Sequence, residues 1–415
     1  MRVIYNIFVL LYWVIARCLA IKNKKAKQWI KGRKTVFKRL SEQDFSDKNI
    51  IWFHCASLGE FEQGRPLIEH IKKQQVSHKI LLTFFSPSGF EVRKEYPMAD
   101  YIFYLPIDTP AHAKKFLHIV HPKYIFFIKY EFWNNYIRQA YRQHIPFYSV
   151  SCIFSERQFY FKWYGCWFKK QLKYISHFFA QDERTVEILK RQGIFQASVS
   201  GDTRFDRVFE IVNHAKSLDV FSNTIFNGNI IVAGSTWSED EKILVQLLEN
   251  HDCKLIIAPH EVRKKRIEEI KNRFSDYSPL QYSQCSIPVD IEKIRVIIID
   301  VMGILSSLYR YGTIAYIGGG FGKGIHNILE AATYGMPIIF GVKYKKFKEA
   351  NDLIQLSAAF SVSNYTDLDS VIHELQKTPQ AIEKASWTAK QYVLDNIGAC
   401  KKIYDFVFEN NDLIE

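Results

Sequence analysis

Residues 296–341 read VIIIDVMGILSSLYRYGTIAYIGGGFGKGIHNILEAATYGMPIIFG. This stretch predicts, in order, a strand, a helix, a strand, a glycine run, a helix and a strand. The three predicted strands, at 295–299, 313–317 and 337–340, are short, almost wholly apolar and rich in isoleucine. Such runs are typical of parallel strands that are buried on both faces. Strands that alternate with helices in this way indicate βαβ units and a doubly wound α/β sheet.

The same alternation extends over most of the chain in two series. In the first series we predict the strands Ile50–Cys55, Lys79–Phe85, Tyr101–Leu105, Tyr124–Lys129, Pro146–Ser151 and His177–Ala180. The second series begins with Ile230–Ala233 and Lys254–Ala258 and continues through residues 296–341. Between the two series, residues 208–227 lack a strand pattern and end in asparagine and glycine, which favour turns.

Length also favours two domains, because a single core rarely exceeds about 250–300 residues and this chain has 415. We predict an α/β protein of two doubly wound, Rossmann-like domains facing a central cleft, with a membrane-associated helix at the N-terminus. The predicted segments are 1–40 for the helix and basic stretch, 45–215 for the first domain, 222–395 for the second, and 396–415 for a C-terminal tail.

The cysteines argue against a disulfide framework or a zinc site. Their number is odd, at seven, and no two of them form a C-x-x-C pair. A chain of this kind is typical of a reducing compartment.

The N-terminus combines an apolar run with a cluster of positive charge. Residues 3–16 read VIYNIFVLLYWVIA, and nine lysines and arginines follow between residues 22 and 39, within a chain of formal net charge +13. A secretory signal carries its charge before the apolar run. We therefore expect a short anchor or an interfacial helix, with the basic stretch on an anionic cytoplasmic surface. The alternative is an ordinary packing helix followed by a solvated charge run.

Nucleic acid is not an expected partner. The positive charge is concentrated at one end of the chain, and no nucleic-acid-binding motif accompanies it.

Three candidate catalytic residues follow predicted strands of the first domain, where doubly wound sheets bind their ligands. Glu60, in HCASLGEFEQG, is a candidate general base, although Ser57-x-x-Glu60 also matches a helix capping box. Glu131, in FIKYEFWNN, is a second carboxylate or an ordinary helix-start glutamate. Arg204, in SVSGDTRFDRV, could offset charge on a leaving phosphate or be a solvated arginine.

The second domain contributes candidate donor contacts. Ser235 and Thr236, in AGSTWSEDE, fit either a helix cap or a phosphate contact. His260 ends a predicted strand, as a nucleotide contact or a polar strand end. The run GGGFGKG precedes a helix predicted to open at 324–327, and it matches neither a Walker A loop nor G-x-G-x-x-G. Glu330, predicted one helical turn past His326, could accept ribose hydroxyls.

Five segments, in this order and spacing, resemble the 3-deoxy-D-manno-octulosonic acid (Kdo) transferases of lipopolysaccharide synthesis. They are WFHCASLGE at 52–60, YEFW at 130–133, GSTW at 234–237, DVMG at 300–303 and GIHNILE at 324–330. The resemblance implies a glycosyltransferase-B fold. It implies inverting transfer of Kdo from CMP-Kdo to a lipid A precursor, lipid IV-A. It also implies a place at the cytoplasmic face of a Gram-negative inner membrane, with no metal or other cofactor.

The resemblance also implies a role for individual residues. Glu60 corresponds to the proton acceptor, and Glu131 and Arg204 correspond to transition-state stabilisers. The implied CMP contacts are Pro259, His260, Met302, Gly303, Ile304, Asn327, Ile328, Leu329 and Glu330. Further candidate donor contacts are Ser235, Thr236, Gly320 and His326.

The chain departs from the family pattern at a few positions. An arginine of the family is missing between Pro259 and His260, and Arg204 stands where lysine is usual, which keeps the charge but changes its geometry. Gly320 replaces a usual serine, Ile325 a glycine and Asn134 a proline.

Three other functions are compatible with parts of the pattern. One is a membrane-surface glycosyltransferase of the same fold with a UDP-sugar donor. Another is a non-catalytic nucleotide-sugar binder, which would need no base such as Glu60. The third is a sugar epimerase of the same fold, which would need no membrane segment.

Overall fold

The computed structural model describes residues 1–46, 49–215, 217–221, 229–285 and 294–409. The chain forms two compact units. The first comprises Met1–Arg207 together with the chain from Ile397 onward, and the second comprises Val208–Asn396.

Each unit is built on a parallel sheet of seven strands in the described residues. The strands of the first sheet are β1 (Ile50–Cys55), β2 (Lys79–Phe84), β3 (Tyr101–Tyr104), β4 (Tyr124–Ile128), β5 (Phe147–Cys152), β6 (His177–Ala180) and β7 (Ala197–Val199). Those of the second sheet are β8 (Ile230–Thr236), β9 (Lys254–Pro259), β10 (Leu280–Gln281), β11 (Val296–Ile298), β12 (Ile314–Ile317), β13 (Ile338–Gly341) and β14 (Ala359–Val362).

Helices cover both sheets. The α-helices in the first half of the chain are α1 (Arg2–Leu19), α2 (Lys24–Lys34), α3 (Val36–Ser41), α4 (Leu58–Gln74), α5 (Pro87–Arg93), α6 (Pro110–Val120), α7 (Asn134–Arg142), α8 (Cys166–Leu172), α9 (Glu183–Arg191) and α10 (Thr203–Asn213). Those in the second half are α11 (Ser238–Asn250), α12 (Lys264–Arg273), α13 (Leu305–Leu308), α14 (Leu329–Thr333), α15 (Lys348–Gln355), α16 (Tyr365–Gln376), α17 (Pro379–Asn396) and α18 (Ala399–Tyr404).

The strand orders confirm the predicted fold class. The first sheet runs β3-β2-β1-β4-β5-β6-β7 and the second β10-β11-β9-β8-β12-β13-β14. In the first sheet the order reverses between β1 and β4, and in the second between β8 and β12. Such a reversal opens a crevice beyond the carboxyl ends of the two strands, which is where doubly wound sheets bind ligands.

Three strands were not predicted from the sequence, and all three lie at the edge of a sheet. β7, β10 and β14 each pair with only one neighbour. An edge strand needs less apolar surface than a central one because it is covered less completely. The pattern on which the prediction depends is therefore weakest at these positions.

The domain boundaries differ from the predicted ones. The first unit ends at Arg207, and the chain from Ile397 onward returns to it, whereas we predicted a boundary within 215–222 and a separate tail at 396–415. The reason is burial: Cys400, Ile403 and Tyr404 of α18 pack into the apolar layer that covers one face of the first sheet. Residues 222–228 and 410–415 lie outside the described residues.

Helix α1 is covered by the first unit mainly along one stripe. Its more covered residues recur every three or four positions, as a helical stripe does: Arg2, Tyr5, Asn6, Val9, Trp13 and Ala16. Tyr5 donates to Asp108 at 2.5 Å. The other side of α1 exposes large apolar residues, among them Ile7, Phe8, Leu11 and Ile15. Among the described residues, α1 is the one helix long and apolar enough to cross a membrane by length and composition.

One member of the basic stretch has a structural role that the sequence did not indicate. Arg33 is buried, donates through Nε to the carbonyl of Leu105 at 2.8 Å and through a terminal nitrogen to that of Phe85 at 2.6 Å, and lies over the ring of Trp29. The other eight basic side chains between residues 22 and 39 are exposed. Eight of the nine basic side chains of this stretch are therefore accessible from solvent.

Candidate active site

Glu60 lies in the first turn of α4, directly beyond the carboxyl end of β1. Its carboxylate accepts a hydrogen bond from the hydroxyl of Ser57. Ser57 occupies the N-cap position, but its side chain makes no hydrogen bond to the helix backbone. The capping box that the sequence matched is therefore not formed, and the Ser57 hydroxyl orients the Glu60 carboxylate instead of the helix start.

Glu131 lies in the loop between β4 and α7, beyond the strand that neighbours β1. Two aromatic neighbours hold this loop: Phe132 stacks on Phe154, and Trp133 stacks on Phe85 with ring centroids 4.9 Å apart. The Glu131 side chain is 26% exposed. The two predicted carboxylates thus follow adjacent parallel strands at the point where the strand order reverses.

Behind Glu131 lies a histidine that the sequence interpretation did not single out. His54, in β1, is fully buried, and its Nε2 lies 3.9 Å from Glu131 Oε2. Burial lowers the pKa of His54, and the opposing effect of the neighbouring Glu131 is smaller. The imidazole is therefore neutral at physiological pH, and the contact is not a salt bridge.

Arg204 is held by an acidic residue that the sequence interpretation also missed. Its Nε and one terminal nitrogen donate to Asp202 Oδ2 at 2.8 and 2.7 Å. Asp202 is buried, and its Oδ1 accepts from Gln63 Nε2 at 2.9 Å. Gln63 lies one turn beyond Glu60 on α4, so a chain of hydrogen bonds connects the Glu60 helix to Arg204.

The charges of the predicted catalytic residues influence two neighbouring side chains, Cys55 and Tyr130. Burial raises the pKa of the Cys55 thiol, and the charges of Glu60, Glu62 and Glu131 raise it further. Burial also raises the pKa of Tyr130, with Glu60 raising it and Arg204 lowering it. Glu60 and Glu131 thus both act on Cys55, and Glu60 and Arg204 both act on Tyr130.

An aromatic groove of about 360 Å³ opens beside Glu131. Its walls combine α1, one residue of α2 and the loops that follow three strands of the first unit: Phe8, Val9, Tyr12, Trp29, Phe85, Ile107, Asp108, Glu131 and Trp133. Tyr12 packs edge-on against Trp29, which in turn packs against Phe85. The groove therefore leads from the apolar outer side of α1 to a candidate catalytic carboxylate.

The second unit gathers three rings beyond the carboxyl ends of β8 and β9. His260 stacks on Trp237 with centroids 4.8 Å apart and on His326 with centroids 4.4 Å apart. Trp237 Nε1 donates to His326 Nε2 at 3.2 Å, and burial lowers the pKa of His326. Two residues predicted to contact the sugar donor, His260 and His326, thus contact each other. Trp237, from the GSTW segment, is the third ring of the stack, and we had predicted no role for it.

Ser235 and Thr236 lie at the end of β8. Thr236 is buried and donates to Glu241 at 3.0 Å, which makes it part of the packing between strand and helix. Ser235 has a left-handed backbone, with φ of 55°. Pro259 ends β9, and the His260 amide donates to the carbonyl of Thr236 at 3.1 Å. The hydrogen bond from His260 to Thr236 joins the end of β8 to the residue that follows β9, next to the three rings.

The glycine run packs closely against its neighbours. A Cβ at Gly318 would lie 2.3 Å from the carbonyl oxygen of Ser235, and one at Gly320 would lie 2.5 Å from the Gly341 Cα. Gly320 is therefore a packing position, and the family's usual serine would require the backbone to shift here.

The helix after the glycine run starts later than predicted. It begins at Leu329, not at 324–327, and it has five residues. Gly324 has a φ of 133°, which is incompatible with a helical start. The predicted helix start at 324–327 is therefore wrong, because residues 324–328 are not helical.

The remaining predicted donor residues follow strands of the second unit. Asn327 lies two residues before α14, with its Oδ1 accepting from the Leu329 amide at 3.1 Å and its Nδ2 donating to Glu330 Oε1 at 3.0 Å. Ile328 and Leu329 are buried, so they can offer a ligand only backbone groups. Met302, Gly303 and Ile304 form the turn before α13, with Met302 74% exposed and Gly303 at φ 88°.

Among the described residues, one group has the composition and spacing of metal ligands. It comprises His251, Asp369 and His373, with all ligand atoms within 4.8 Å of one another. None of these residues belongs to the predicted site.

Comparison with known proteins gives a family match and relatives that align over most of the chain. The model of the 3-deoxy-D-manno-octulosonic-acid transferase (kdotransferase) family matches residues 30–207. A 3-deoxy-D-manno-octulosonic acid transferase of Rickettsia felis is 30% identical over 366 residues, covering 84% of this chain and 76% of the relative. The enzyme of the same name from Aquifex aeolicus is 28% identical, covering 81% of this chain and 88% of the relative.

The fold has counterparts among solved structures. A UDP-GlcNAc 2-epimerase from Neisseria meningitidis superposes with a TM-score of 0.61, covering 87% of this chain and all of that one. The sequence identity is 14%, so this likeness concerns the fold alone.

Proposed function

Since this chain belongs to the 3-deoxy-D-manno-octulosonic acid transferase family, we propose that it moves Kdo from CMP-Kdo to a lipid A precursor at the inner membrane. It is a glycosyltransferase that acts in lipopolysaccharide synthesis. The observation that carries the site assignment is the pair of carboxylates, Glu60 and Glu131, beyond adjacent strands at the reversal of the first sheet.

In the proposed reaction, Glu60 accepts the proton of a primary hydroxyl on the acceptor's glucosamine disaccharide. The oxygen of that hydroxyl attacks the anomeric carbon of Kdo, the bond from that carbon to the CMP oxygen breaks, and the configuration inverts. The Ser57 hydroxyl, which donates to the Glu60 carboxylate, keeps this base in one orientation.

The other two residues of the first unit act on charge that develops in the transition state. The Glu131 carboxylate stabilises positive charge at the anomeric carbon, and the Arg204 guanidinium stabilises negative charge on the leaving phosphate. Arg204 is suited to this because Asp202 fixes its position before substrate binds. Preorganised charges of this kind need no rearrangement during the reaction.

The second unit is the proposed CMP site. The stack of Trp237, His260 and His326 offers aromatic surface, and Asn327 with Glu330 offers polar groups to a ribose. No metal enters the mechanism, because Arg204 supplies the positive charge at the leaving group.

Two features support a lipid acceptor. The exposed apolar side of α1 and the eight exposed basic residues after it suit an anionic bilayer surface. Because the opposite stripe of α1 packs along the first unit, we propose that α1 lies in the cytoplasmic interface of the membrane. The groove beside Glu131 would then receive an acyl chain directly from the bilayer.

A product assay tests the proposal. The purified protein is incubated with CMP-Kdo and lipid IV-A, and the products are analysed by mass spectrometry. We expect lipid IV-A to gain the mass of Kdo and CMP to be released. A UDP-sugar transferase would instead leave lipid IV-A unchanged, and UDP rather than CMP would raise its melting temperature.

A further inference from the structure

His54 is a buried polar group beside Glu131 that the proposed mechanism does not use. Its ring is fully buried in β1 and packs on Phe127, with centroids 4.6 Å apart. One ring nitrogen, Nδ1, lies 2.9 Å from Thr83 Oγ1. The other, Nε2, has no hydrogen-bond partner and lies 3.9 Å from Glu131 Oε2. A buried polar atom without a partner is costly.

The hydrogen bonds of Thr83 indicate which ring nitrogen carries the proton. Trp52 Nε1, which can only donate, donates to Thr83 Oγ1 at 2.8 Å. The single hydroxyl proton of Thr83 can then be donated to His54 Nδ1 at 2.9 Å or to the carbonyl of Phe53 at 3.3 Å. We assign the proton to the shorter contact, with His54 Nδ1, which leaves the imidazole proton on Nε2.

The position of Glu131 near Nε2 favours the same tautomer. If Nε2 carried no proton, its lone pair would face the carboxylate oxygen of Glu131, and the two would repel each other. With the proton on Nε2, the ring is a donor aimed at Glu131. The charged groups that influence His54 are Glu131 itself and Arg33 of α2.

We propose that His54 is a positioning residue for Glu131: its Nε2–H donates to the carboxylate and holds it in the orientation that the transition state requires. This inference rests on the proposed function, because it gives Glu131 a task in the transfer reaction. The present separation of 3.9 Å would shorten by about 1 Å in the substrate complex, as catalytic hydrogen bonds often do. His54 itself touches neither donor nor acceptor.

Two substitutions of His54 separate this role from simple packing. In His54→Gln, the amide nitrogen can reach about the position of Nε2. In His54→Asn, the amide reaches only to the position of Nδ1, so it can contact Thr83 but not Glu131. We expect kcat with CMP-Kdo and lipid IV-A to fall about 10- to 100-fold in His54→Asn, to recover to within about fivefold of the natural protein in His54→Gln, and KM to change little in either.

A double-mutant cycle supplies the decisive measurement. In a Glu131→Gln background, His54→Asn should lower kcat no further, because the carboxylate it positions is gone. An equal loss in both backgrounds, or an undiminished kcat in the single variant His54→Asn, would overturn the inference. If Glu131→Gln alone retained full activity, the proposed role of Glu131 would fail instead, so the two failures can be told apart.

A second pair of variants applies if the buried His54 substitutions prevent folding. Thr83→Ser keeps the hydroxyl that bonds to Nδ1, whereas Thr83→Val removes it at nearly constant volume. The inference predicts that kcat is preserved in Thr83→Ser and reduced about tenfold or more in Thr83→Val. Equal kcat values in the two variants would contradict it.

Discussion

Gln63 Nε2 donates to Asp202 Oδ1 at 2.9 Å, and both side chains are buried. Gln63 lies on α4, one turn from Glu60, and Asp202 precedes α10 and binds Arg204. This single bond therefore joins residues 139 positions apart in the chain and couples the proposed base to the proposed cation.

We predict that Asp202→Asn impairs transfer without unfolding the protein. The asparagine can still accept from Gln63, but it lacks the charge that holds the Arg204 guanidinium in place. We expect kcat to fall about 10- to 100-fold, with the melting temperature lowered by only a few degrees. Steady-state kinetics and thermal unfolding provide the two readouts. Asp100→Asn, which removes a surface ion pair with Lys72, is the control and should leave kcat unchanged.

Glu60→Gln should abolish transfer while leaving CMP binding intact. Removing a general base costs about 10²–10⁴ in rate, and CMP is bound by the other unit in our proposal. The measurements are turnover in the product assay and the CMP dissociation constant by calorimetry. The matched control is Glu62→Gln, two residues along the same helix, where the carboxylate pairs with Arg93 at the surface. Substantial turnover in Glu60→Gln would rule out the base assignment.

The aromatic groove should recognise the acyl part of the acceptor. Tyr12→Ala removes one wall, and we expect KM for lipid IV-A to rise about 5- to 10-fold, since loss of a partly buried aromatic contact costs about 1 kcal/mol or more. With a deacylated acceptor, the same substitution should have no effect on KM. Leu11→Ala changes the neighbouring residue, which lies outside the groove lining, and serves as the control. Equal KM changes for both acceptors would show that the groove does not hold the acyl chain.

The three-ring stack should contribute to CMP affinity. Trp237→Ala removes the ring on which His260 stacks, and we expect the dissociation constant of CMP to rise about tenfold, as for the loss of one aromatic stacking contact. Calorimetry with CMP provides the measurement. Trp387→Ala is the matched control, because this tryptophan is 67% exposed on the same unit and should have no role. An unchanged dissociation constant in Trp237→Ala would exclude the stack from the CMP site.

Asp108 should make stability depend on pH. Burial raises its pKa to about 6 from an ordinary value of 3.8. A carboxyl whose pKa is higher in the folded than in the unfolded state favours folding at low pH, and this contribution is lost as the pH rises from about 4 through about 6. We therefore expect the melting temperature of the natural protein, minus that of Asp108→Asn, to be larger at pH 4.5 than at pH 7. Glu95→Gln, at an exposed position, should show no such difference between the two pH values.

Most of the fold could be predicted from local patterns. The central strands β1 and β6 have the predicted bounds, and β4 differs by one residue at its end. A strand buried on both faces must be apolar throughout, so its own residues reveal it. The edge strands β7, β10 and β14 are only partly covered, and their sequences carry a correspondingly weaker signal.

The positions of Glu60 and Glu131 could also be inferred, since parallel strands end at one edge of the sheet and residues that follow them meet there. The hydrogen-bond partners of these two carboxylates could not be inferred from the sequence. Ser57 binding the Glu60 carboxylate instead of capping α4 depends on side-chain orientation, which spacing does not specify.

The residues that hold the site together emerged only from the folded chain. The pairing of Gln63 with Asp202, the approach of His54 to Glu131 and the stacking of Trp237, His260 and His326 join residues from different elements. The packing of α18 into the first unit likewise joins elements that are far apart in the chain. Local sequence encodes periodicity and therefore secondary structure, because burial repeats along each element. Contacts between distant elements depend on strand order and on which side chains meet, and only tertiary packing determines these.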